Sequence, residues 1–177
     1  ASTAYGLTVL EEHQKQRLGA LDQQIKAVQK DLLARINAVP KWQRTLERLV
    51  TQPGFAERSV GSLLSEFVTI PADLTAKQIV AWAGVDPRPR LSGTSRTGKS
   101  FPISRRGNPR LRRTLYMMAL VASQKHPAMA AYYDRMLARG KPKKVALVAL
   151  MRKILVSTWM MFTRDQDFDP SSFTRTP

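Results

Sequence analysis

The sequence predicts an all-α protein, in which a long N-terminal helix resembling a coiled-coil arm is followed by a compact helical domain. Apolar residues recur at helical spacing along most of the chain, and Pro and Gly residues fall between these stretches, where helices start or end. We find no convincing strand and no internal repeat. At 177 residues the chain can form one domain with an extension.

Residues 1–40 are predicted to form the helical arm. Its apolar residues alternate in steps of three and four, as in a coiled-coil seam: Leu18, Leu21, Ile25, Val28, Leu32, Ile36 and Val39. Pro40 is expected to stop the helix. The stripe has two interpretations: the arm packs on its own domain, or it pairs with a second copy of the chain or with another partner.

Residues 41–164 are predicted to form the helical domain. Its first two helices, over 42–50 and 57–67, are joined by a tight Pro-Gly turn. The pair resembles a helix-hairpin-helix motif, in which backbone N–H groups at the start of the second helix bind a nucleic-acid phosphate. An ordinary helical hairpin fits the sequence equally well, because Phe55 stands where a slimmer residue is expected.

The next predicted helix is "DLTAKQIVAWAG", with Thr75 or Asp73 as its N-cap and Gly84 as its C-terminal stop. After the following loop, Asn108 is expected to cap, and Pro109 to open, a helix through "RLRRTLYMMALVASQK". Its predicted buried stripe is Leu111, Leu115, Met118 or Ala119, and Ala122.

Two further helices complete the predicted domain. Pro127 opens the first, which Gly140 ends, and Pro142 precedes the second, over 143–162. The C-terminal tail, residues 165–177, shows no periodic pattern and is expected to be extended or disordered.

The segment 87–133 contains no carboxylate. Its first part, the basic loop 87–107, is rich in Ser, Gly and Arg and is predicted to be irregular. Cations crowd this loop and the start of the next helix, and we predict that they contact nucleic-acid phosphates: Arg88, Arg90, Arg96, Lys99, Arg105, Arg106, Arg110, Arg112 and Arg113. Arg112 and Arg113 gain nothing from the dipole at a helix N-terminus, so a nearby anion explains them better.

The whole chain is strongly basic. Lys and Arg outnumber Asp and Glu by 29 to 13, which gives a formal charge of +16. A folded protein with this charge usually binds a polyanion, and nucleic acid is the first candidate because phosphates are its densest source of negative charge. Charge alone also fits a ribosomal protein or an anionic membrane surface.

Composition excludes several kinds of site. There is no Cys, and His13 and His126 are isolated, which excludes disulfides and zinc sites. Arg152 and Lys153 interrupt the apolar segment 145–161, where each would cost about 2.5–3.5 kcal/mol in a bilayer, so we expect a buried helix and no membrane partner. No signal peptide is visible, and a cytoplasmic location is expected. The first residue is Ala, which indicates a chain cut from something longer.

The stretch "GTSRTGKS" matches the G-x-x-x-x-G-K-S pattern of a nucleotide-binding phosphate loop. Such a loop joins a buried strand to a helix whose N-terminus points at the anion. Here "VDPRPRL" precedes it, and two prolines do not fit a central strand. Pro102 follows closely, and no apolar run ending in Asp is present to hold magnesium. We therefore reject an ATPase function. The loop has two other interpretations: it only binds a nucleic-acid backbone, or it binds the backbone and also supplies a serine nucleophile.

The chain resembles the C-terminal transposase domain of the IS-one-ten family of insertion-sequence recombinases, relatives of the Piv DNA invertase. The stretches that carry the resemblance are "AWAGVDPRPRLSGTSRTGKSFPISRRGNPRLRRTLYMMALVA" and "GKPKKVALVALMRKILV". It covers roughly 46–162. Its anchors are the Ala-Gly pair at 83–84, the Ser-Gly pair at 92–93, and the segments 104–108, 111–117 and 144–155.

The resemblance implies a site-specific DNA recombinase, in which a RuvC-like domain with four magnesium-binding acidic residues precedes the arm and this domain. It implies that Ser92, which begins the Ser-Gly pair, attacks DNA and forms a phosphoserine link. It also implies a structured "bridge" RNA as guide, and homo-oligomers in which domains of different protomers complete one active site. The expected partners are therefore DNA, a guide RNA and further copies of the chain.

Two features depart from the family pattern. "QPGFAERS" replaces the usual Pro-Gly-Ile-Gly turn, and the acidic domain is missing, so Mg²⁺ is expected in that domain and no cofactor in this chain. Arginines do not supply the base or metal that a serine nucleophile needs. We expect this chain alone to bind nucleic acid without cutting it. The alternative is a non-enzymatic DNA- or RNA-binding module, or a remnant of an inactivated element.

Overall fold

The computed structural model describes the backbone of residues 2–87 and 103–174, with side chains from residue 8 onward. Within these ranges the chain forms eight α-helices and no strand, which confirms the all-α class. The helices are α1 Ser2–Asn37, α2 Pro40–Val50, α3 Glu57–Phe67, α4 Ala76–Trp82, α5 Pro109–Lys125, α6 Pro127–Ala138, α7 Lys143–Arg164 and α8 Ser171–Thr174.

Helix boundaries follow from local capping residues. The Asn108 side-chain oxygen accepts hydrogen bonds from the backbone N–H groups of Arg110 (2.9 Å) and Leu111 (3.2 Å), at the start of α5. Thr75, rather than Asp73, caps α4 in a complete capping box. Proline stands at the first position of α2, α5 and α6, where its missing N–H costs nothing.

The core is built around α7, which packs against α2, α3, α4, α5 and α6. Trp159 is buried, and its indole N–H donates to the Leu74 carbonyl oxygen at 3.0 Å. The Phe67 ring meets that indole edge-on, with ring centroids 5.1 Å apart. Met118 and Ala119, the two alternatives for one position of the α5 stripe, are both buried. The buried face of α5 is therefore wider than a narrow seam.

By length and composition alone, α7 is long and apolar enough to cross a membrane. More than half of that stretch is buried inside the domain. Arg152 and Lys153, both half-buried, lie near its middle. The helix is accordingly the core helix that the sequence predicts.

The arm, α1, is exposed along most of its described length. Four residues of the predicted seam are largely open to solvent: Leu18 (63%), Leu21 (45%), Ile25 (44%) and Val28 (68%). The last turns meet the domain, where Ile36 is buried and Leu33 packs on α3. Gly61 makes this close approach feasible, because an added Cβ would lie 3.0 Å from a Leu33 methyl group. Packing on the chain's own domain thus accounts for the end of the arm and leaves the earlier seam uncovered among the described residues.

The tail begins with a polar junction at the end of α7. Asp165 ends that helix with a φ of 53° and pairs with Arg44 (3.1 Å) and Arg48 (3.0 Å) of α2. The hydrogen bond from Arg44 holds the pKa of Asp165 below its usual value. The tail is therefore tied to α2 where it leaves the core.

The expectation of an extended or disordered tail is wrong for residues 171–174, which form α8. The Asp169 side chain accepts from the N–H of Ser171 at 2.8 Å and caps this turn. Phe173 is fully buried and stacks on Phe168, with centroids 5.8 Å apart. A periodic pattern cannot show itself in four residues, which is why the sequence pattern missed this turn.

Candidate nucleic-acid interface

The predicted phosphate contacts fall into two groups. The described residues include Arg105, Arg106, Arg110, Arg112 and Arg113, at the end of the basic loop and in the first turns of α5. The predicted contacts Arg88, Arg90, Arg96 and Lys99 lie outside the described residues, as does the predicted nucleophile Ser92. The structure therefore describes the two ends of the basic loop and the start of α5.

The two ends of the basic loop are joined to each other. Pro87 and Ile103 form an isolated antiparallel bridge. Beside it, the Ser104 N–H donates to the Asp86 carbonyl oxygen at 3.0 Å, and the Ser104 hydroxyl donates to the Asp86 carboxylate. The described residues on the two sides of the loop, 87 and 103, therefore lie next to each other.

Two glycines let the backbone on either side of the loop come into contact. Gly84 has a φ of +67°, and an added Cβ there would lie 2.6 Å from the Gly107 nitrogen. A Cβ on Gly107 would lie 1.9 Å from the Trp82 carbonyl oxygen. The N–H groups of Arg105 and Asn108 donate to the carbonyl oxygens of Gly84 (3.1 Å) and Trp82 (3.2 Å). The end of α4 and the start of α5 are thus held together without room for side chains.

Arg112 takes part in this contact. Its Nη1 donates to the carbonyl oxygens of Ala83 (3.2 Å) and Gly107 (2.7 Å), and the residue is half-buried. A hydrogen bond from a charged group contributes about 1.5–3 kcal/mol. The position of Arg112 near a helix N-terminus therefore has an explanation inside the chain, and its contact with a phosphate stays a prediction.

The other described arginines of this group are exposed: Arg105, Arg106, Arg110 and Arg113. The ion pairs found among the described residues involve Arg35, Arg44 and Arg48, and none involves these four. Glu66, a carboxylate at the loop base, accepts a hydrogen bond from the Asn108 amide. In the described part of the chain, the charge of the four arginines is therefore available to an anion from outside.

Backbone geometry fixes where the first of these arginines stands. Arg105 has a φ of 56°, a left-handed conformation that costs a non-glycine residue about 1–2 kcal/mol. Its N–H is held by the Gly84 carbonyl oxygen. The strain is tolerated because the surrounding contacts determine the conformation. Arg105 and Arg106 are therefore carried by a fixed backbone.

The described residues can bind and stabilise negative charge. Guanidinium groups stay protonated and donate in a fork that matches two phosphate oxygens. No group of three or more His, Asp or Glu residues able to hold a metal occurs in the part of the chain that the structure describes. His126 lies buried between α5 and α6, and burial lowers its pKa.

The α2–α3 hairpin offers weaker geometry for a phosphate. Gly54, in its turn, has a φ of +88° and lies against Val121 and Ala122 of α5. Glu57 stands in the first turn of α3, where its charge would repel a phosphate. Phe55 is buried. These contacts favour an ordinary helical hairpin that packs on α5.

Residues that hold the cations in place are harder to find in the sequence than the cations themselves. The pattern identifies Gly84 as the stop of α4, which is correct but omits its contact with Gly107. It gives no role to Asp86 or Glu66. A glycine on each side of the basic loop is the signal that could have revealed the close approach.

Comparisons with known proteins agree with this picture. The model of the family described as "Transposase IS116/IS110/IS902 family" matches residues 46–134, half of the chain. The pilin gene-inverting protein of Moraxella bovis is 31% identical over 135 residues, which cover 76% of this chain and 42% of that protein.

Two insertion-element proteins are similar as well. The IS110 43.6 kDa protein of Streptomyces coelicolor is 32% identical over 151 residues, covering 85% of this chain and 36% of that protein. The IS900 42 kDa protein of Mycobacterium paratuberculosis is 32% identical over 137 residues, covering 74% and 33%. The chain thus spans less than half the length of each of these relatives. With half of its residues matched by the family model, the chain belongs to the IS116/IS110/IS902 family of transposases.

Proposed function

We propose that this chain is the portion of a site-specific DNA transposase or recombinase that binds DNA and supplies the serine nucleophile. The observation that carries the proposal is the set of exposed arginines, unpaired among the described residues, at the joined ends of the loop 87–107. This loop lies inside the region that the family model matches. Two of the similar proteins bear names that refer to gene inversion and an insertion element, processes that rearrange DNA.

In this proposal Ser92 attacks a backbone phosphorus. A bond forms between its Oγ and the phosphorus, and the bond from the phosphorus to one sugar oxygen breaks. The released DNA strand ends in that oxygen, which takes up a proton from water. Arg105 and Arg106 hold the phosphate and stabilise the charge that develops on it. The proton of the serine hydroxyl passes to a base outside this chain, in the acidic RuvC-like domain. Magnesium held by that domain would neutralise further phosphate charge.

The proposal includes partners beyond DNA. The exposed seam of α1 pairs with the arm of a second copy, because unpaired Leu, Ile and Val residues at coiled-coil spacing are stabilised by burial against an equivalent helix. A structured guide RNA would select the DNA site, as the family resemblance implies. The protein would act in the bacterial cytoplasm, on the nucleoid.

A covalent trap tests the nucleophile. Full-length recombinase with its acidic domain is incubated with cognate DNA and Mg²⁺, denatured, and examined for a protein–DNA adduct by gel electrophoresis and by mass spectrometry of the serine peptide. The adduct is expected for the wild type and for Ser100→Ala, a control in the same loop, and should be absent for Ser92→Ala. An adduct or recombination in Ser92→Ala would show that another residue attacks.

A second candidate is a non-enzymatic DNA- or RNA-binding module. The lack of any metal-binding carboxylate cluster among the described residues favours it for the isolated chain. The gene separates the two candidates: an in-frame acidic domain upstream of Ala1 supports the recombinase, and a stop codon or unrelated sequence there supports the module.

A further inference from the structure

The segment 135–164 carries a second concentration of positive charge, separate in sequence from the basic loop. It contains eight Lys and Arg residues and no Asp or Glu. The segment covers the end of α6, the following turn and nearly all of α7. The apolar pattern of the segment predicts core helices, and the proposed function gives its charges no role.

Several of these cations converge on one tyrosine. The Lys153 ammonium lies 4.9 Å from the centroid of the Tyr132 ring, and the Arg135 guanidinium carbon lies 5.9 Å from it. Burial raises the pKa of the Tyr132 hydroxyl, and the charges of Arg152, Arg135 and Arg139 partly offset that rise. Four cations from α6 and α7 therefore share a small region of the domain.

These charges repel one another. Burial, and then the charge of Arg135, lowers the pKa of Lys153. Arg135, Arg139 and Arg152 form no ion pair in the part of the chain that the structure describes. The Nε of Arg152 is buried there without a hydrogen-bond partner. A multiply charged anion from outside would relieve the repulsion among these side chains.

The tail holds part of this cluster in position. Arg135 donates to the Phe173 carbonyl oxygen, and Lys153 donates to the Ser172 carbonyl oxygen. These two hydrogen bonds orient both side chains. Because Phe173 is fully buried, the turn that presents these carbonyls is anchored in the core. Arg135 and Lys153 are thus ordered before any ligand binds, which lowers the entropic cost of binding near them.

The turn between α6 and α7 extends the positive charge. Lys141, Lys143 and Lys144 are exposed, and the last two occupy the first turn of α7, which contains no acidic residue. A cation at a helix N-terminus is disfavoured by the helix dipole. Helix stability therefore gives no reason for two lysines there, whereas a bound anion does.

We propose that these cations form a second DNA contact, the α6–α7 basic surface, which binds the sugar-phosphate backbone of duplex DNA. Its members are Arg135, Arg139, Lys141, Lys143, Lys144 and Arg152. Arginine forks bind pairs of phosphate oxygens, and lysines add point charges along the backbone. The proposal shares with the proposed function the premise that DNA is the partner, and it does not depend on Ser92.

The salt dependence of DNA binding tests the surface. The variant Arg139→Gln/Lys143→Gln/Lys144→Gln replaces three exposed cations, and Lys15→Gln/Lys26→Gln/Lys30→Gln on α1 is the control with the same loss of charge. Affinity of the 177-residue chain for a DNA duplex is measured by fluorescence anisotropy over a range of salt concentrations. Each lost phosphate contact reduces the steepness of log K against log salt by about 0.9. The loss of three contacts should therefore reduce it by about 2.7, whereas the control variant should reduce it by less than about 0.9.

Thermal unfolding checks that both variants fold. If the triple variant melts at a lower temperature than the wild type, the double variant Lys143→Gln/Lys144→Gln is used instead. It should reduce the steepness of log K against log salt by about 1.8. An equal reduction in the α1 control, or no reduction in either variant, would overturn the proposal. A reduction seen with single-stranded RNA or with phosphatidylserine vesicles but not with duplex DNA would also overturn it.

A third variant separates this inference from the proposed function. If Arg105→Gln/Arg106→Gln leaves the steepness of log K against log salt unchanged, the basic loop does not bind DNA. That result would contradict the proposed function but not the α6–α7 basic surface. If the α6–α7 variant keeps the wild-type steepness of log K against log salt while Arg105→Gln/Arg106→Gln reduces it, only the α6–α7 basic surface is contradicted.

Discussion

Three glycines have different surroundings. Replacing each by Ala separates the loss of stability caused by a steric clash from the loss caused by a left-handed backbone conformation. A Cβ on Gly107 would lie 1.9 Å from a backbone oxygen, whereas one on Gly140 or Gly19 would meet nothing within 4 Å. Gly140 has a φ of +74°, and Gly19 lies inside α1. The chain therefore contains its own controls for the close contact at the loop base.

Gly107→Ala is expected to lower the free energy of unfolding by about 3 kcal/mol, because backbone atoms on both sides must move apart. Gly140→Ala should cost about 1–2 kcal/mol for the left-handed conformation alone. Gly19→Ala should stabilise by up to about 1 kcal/mol through helix propensity. Urea unfolding followed by circular dichroism measures all three. Equal stability of the Gly107 and Gly140 variants would contradict the close contact between α4 and α5.

Adjacent arginines on α5 are expected to differ in what they do. Arg112→Gln removes two hydrogen bonds to carbonyl oxygens and should lower the free energy of unfolding by about 3 kcal/mol or more, at about 1.5–3 kcal/mol for each bond. Arg113→Gln changes an exposed side chain and should alter stability by less than about 0.5 kcal/mol. The same Arg113 variant should reduce the salt slope of DNA binding by about 0.9. If Arg113→Gln destabilises the fold as much as Arg112→Gln, the assignment of these two roles is wrong.

Among the elements, the arm leaves a stripe of apolar residues at coiled-coil spacing open to solvent in the described part of the chain. Leu21→Glu/Ile25→Glu places two charges on the exposed seam and is expected to convert a self-associated chain to a monomer, because a charge cannot be buried at a coiled-coil interface without a partner. Ala20→Glu/Gln23→Glu adds the same charge on outward positions as a control. Sedimentation velocity measures the oligomeric state.

In both arm variants the helical domain should stay folded, since the seam lies outside its core. A wild-type chain that stays monomeric at high concentration would contradict pairing through α1. Self-association that persists in Leu21→Glu/Ile25→Glu would place the interface on another element.

Element boundaries are predictable where one residue dictates them. Asn108 followed by proline predicts the start of α5, and the structure shows both capping hydrogen bonds. The end of α1 before Pro40 follows from the steric clash that proline imposes on the preceding residue. By contrast, α8 depends on Phe173 reaching the core, a long-range contact that no local pattern reports.

Across the domain, the sequence shows how much positive charge the protein carries but not which of its cations are free to bind a ligand. Arg112 and Arg113 look alike in the sequence, yet one is engaged with carbonyl oxygens and the other is exposed. Charges on α6 and α7 are spaced along apolar helices, and only folding gathers them around Tyr132. Family membership then links this charge to proteins of DNA rearrangement.

We expect the arginines at the joined ends of the basic loop to bind DNA phosphates, and the salt dependence of DNA affinity measures this contact. For Arg105→Gln/Arg106→Gln, the steepness of log K against log salt should fall by about 1.8, whereas Lys26→Gln/Lys30→Gln, with the same loss of charge, should leave it nearly unchanged. If the steepness is unchanged in Arg105→Gln/Arg106→Gln, or falls equally in both variants, these two arginines do not bind DNA phosphates.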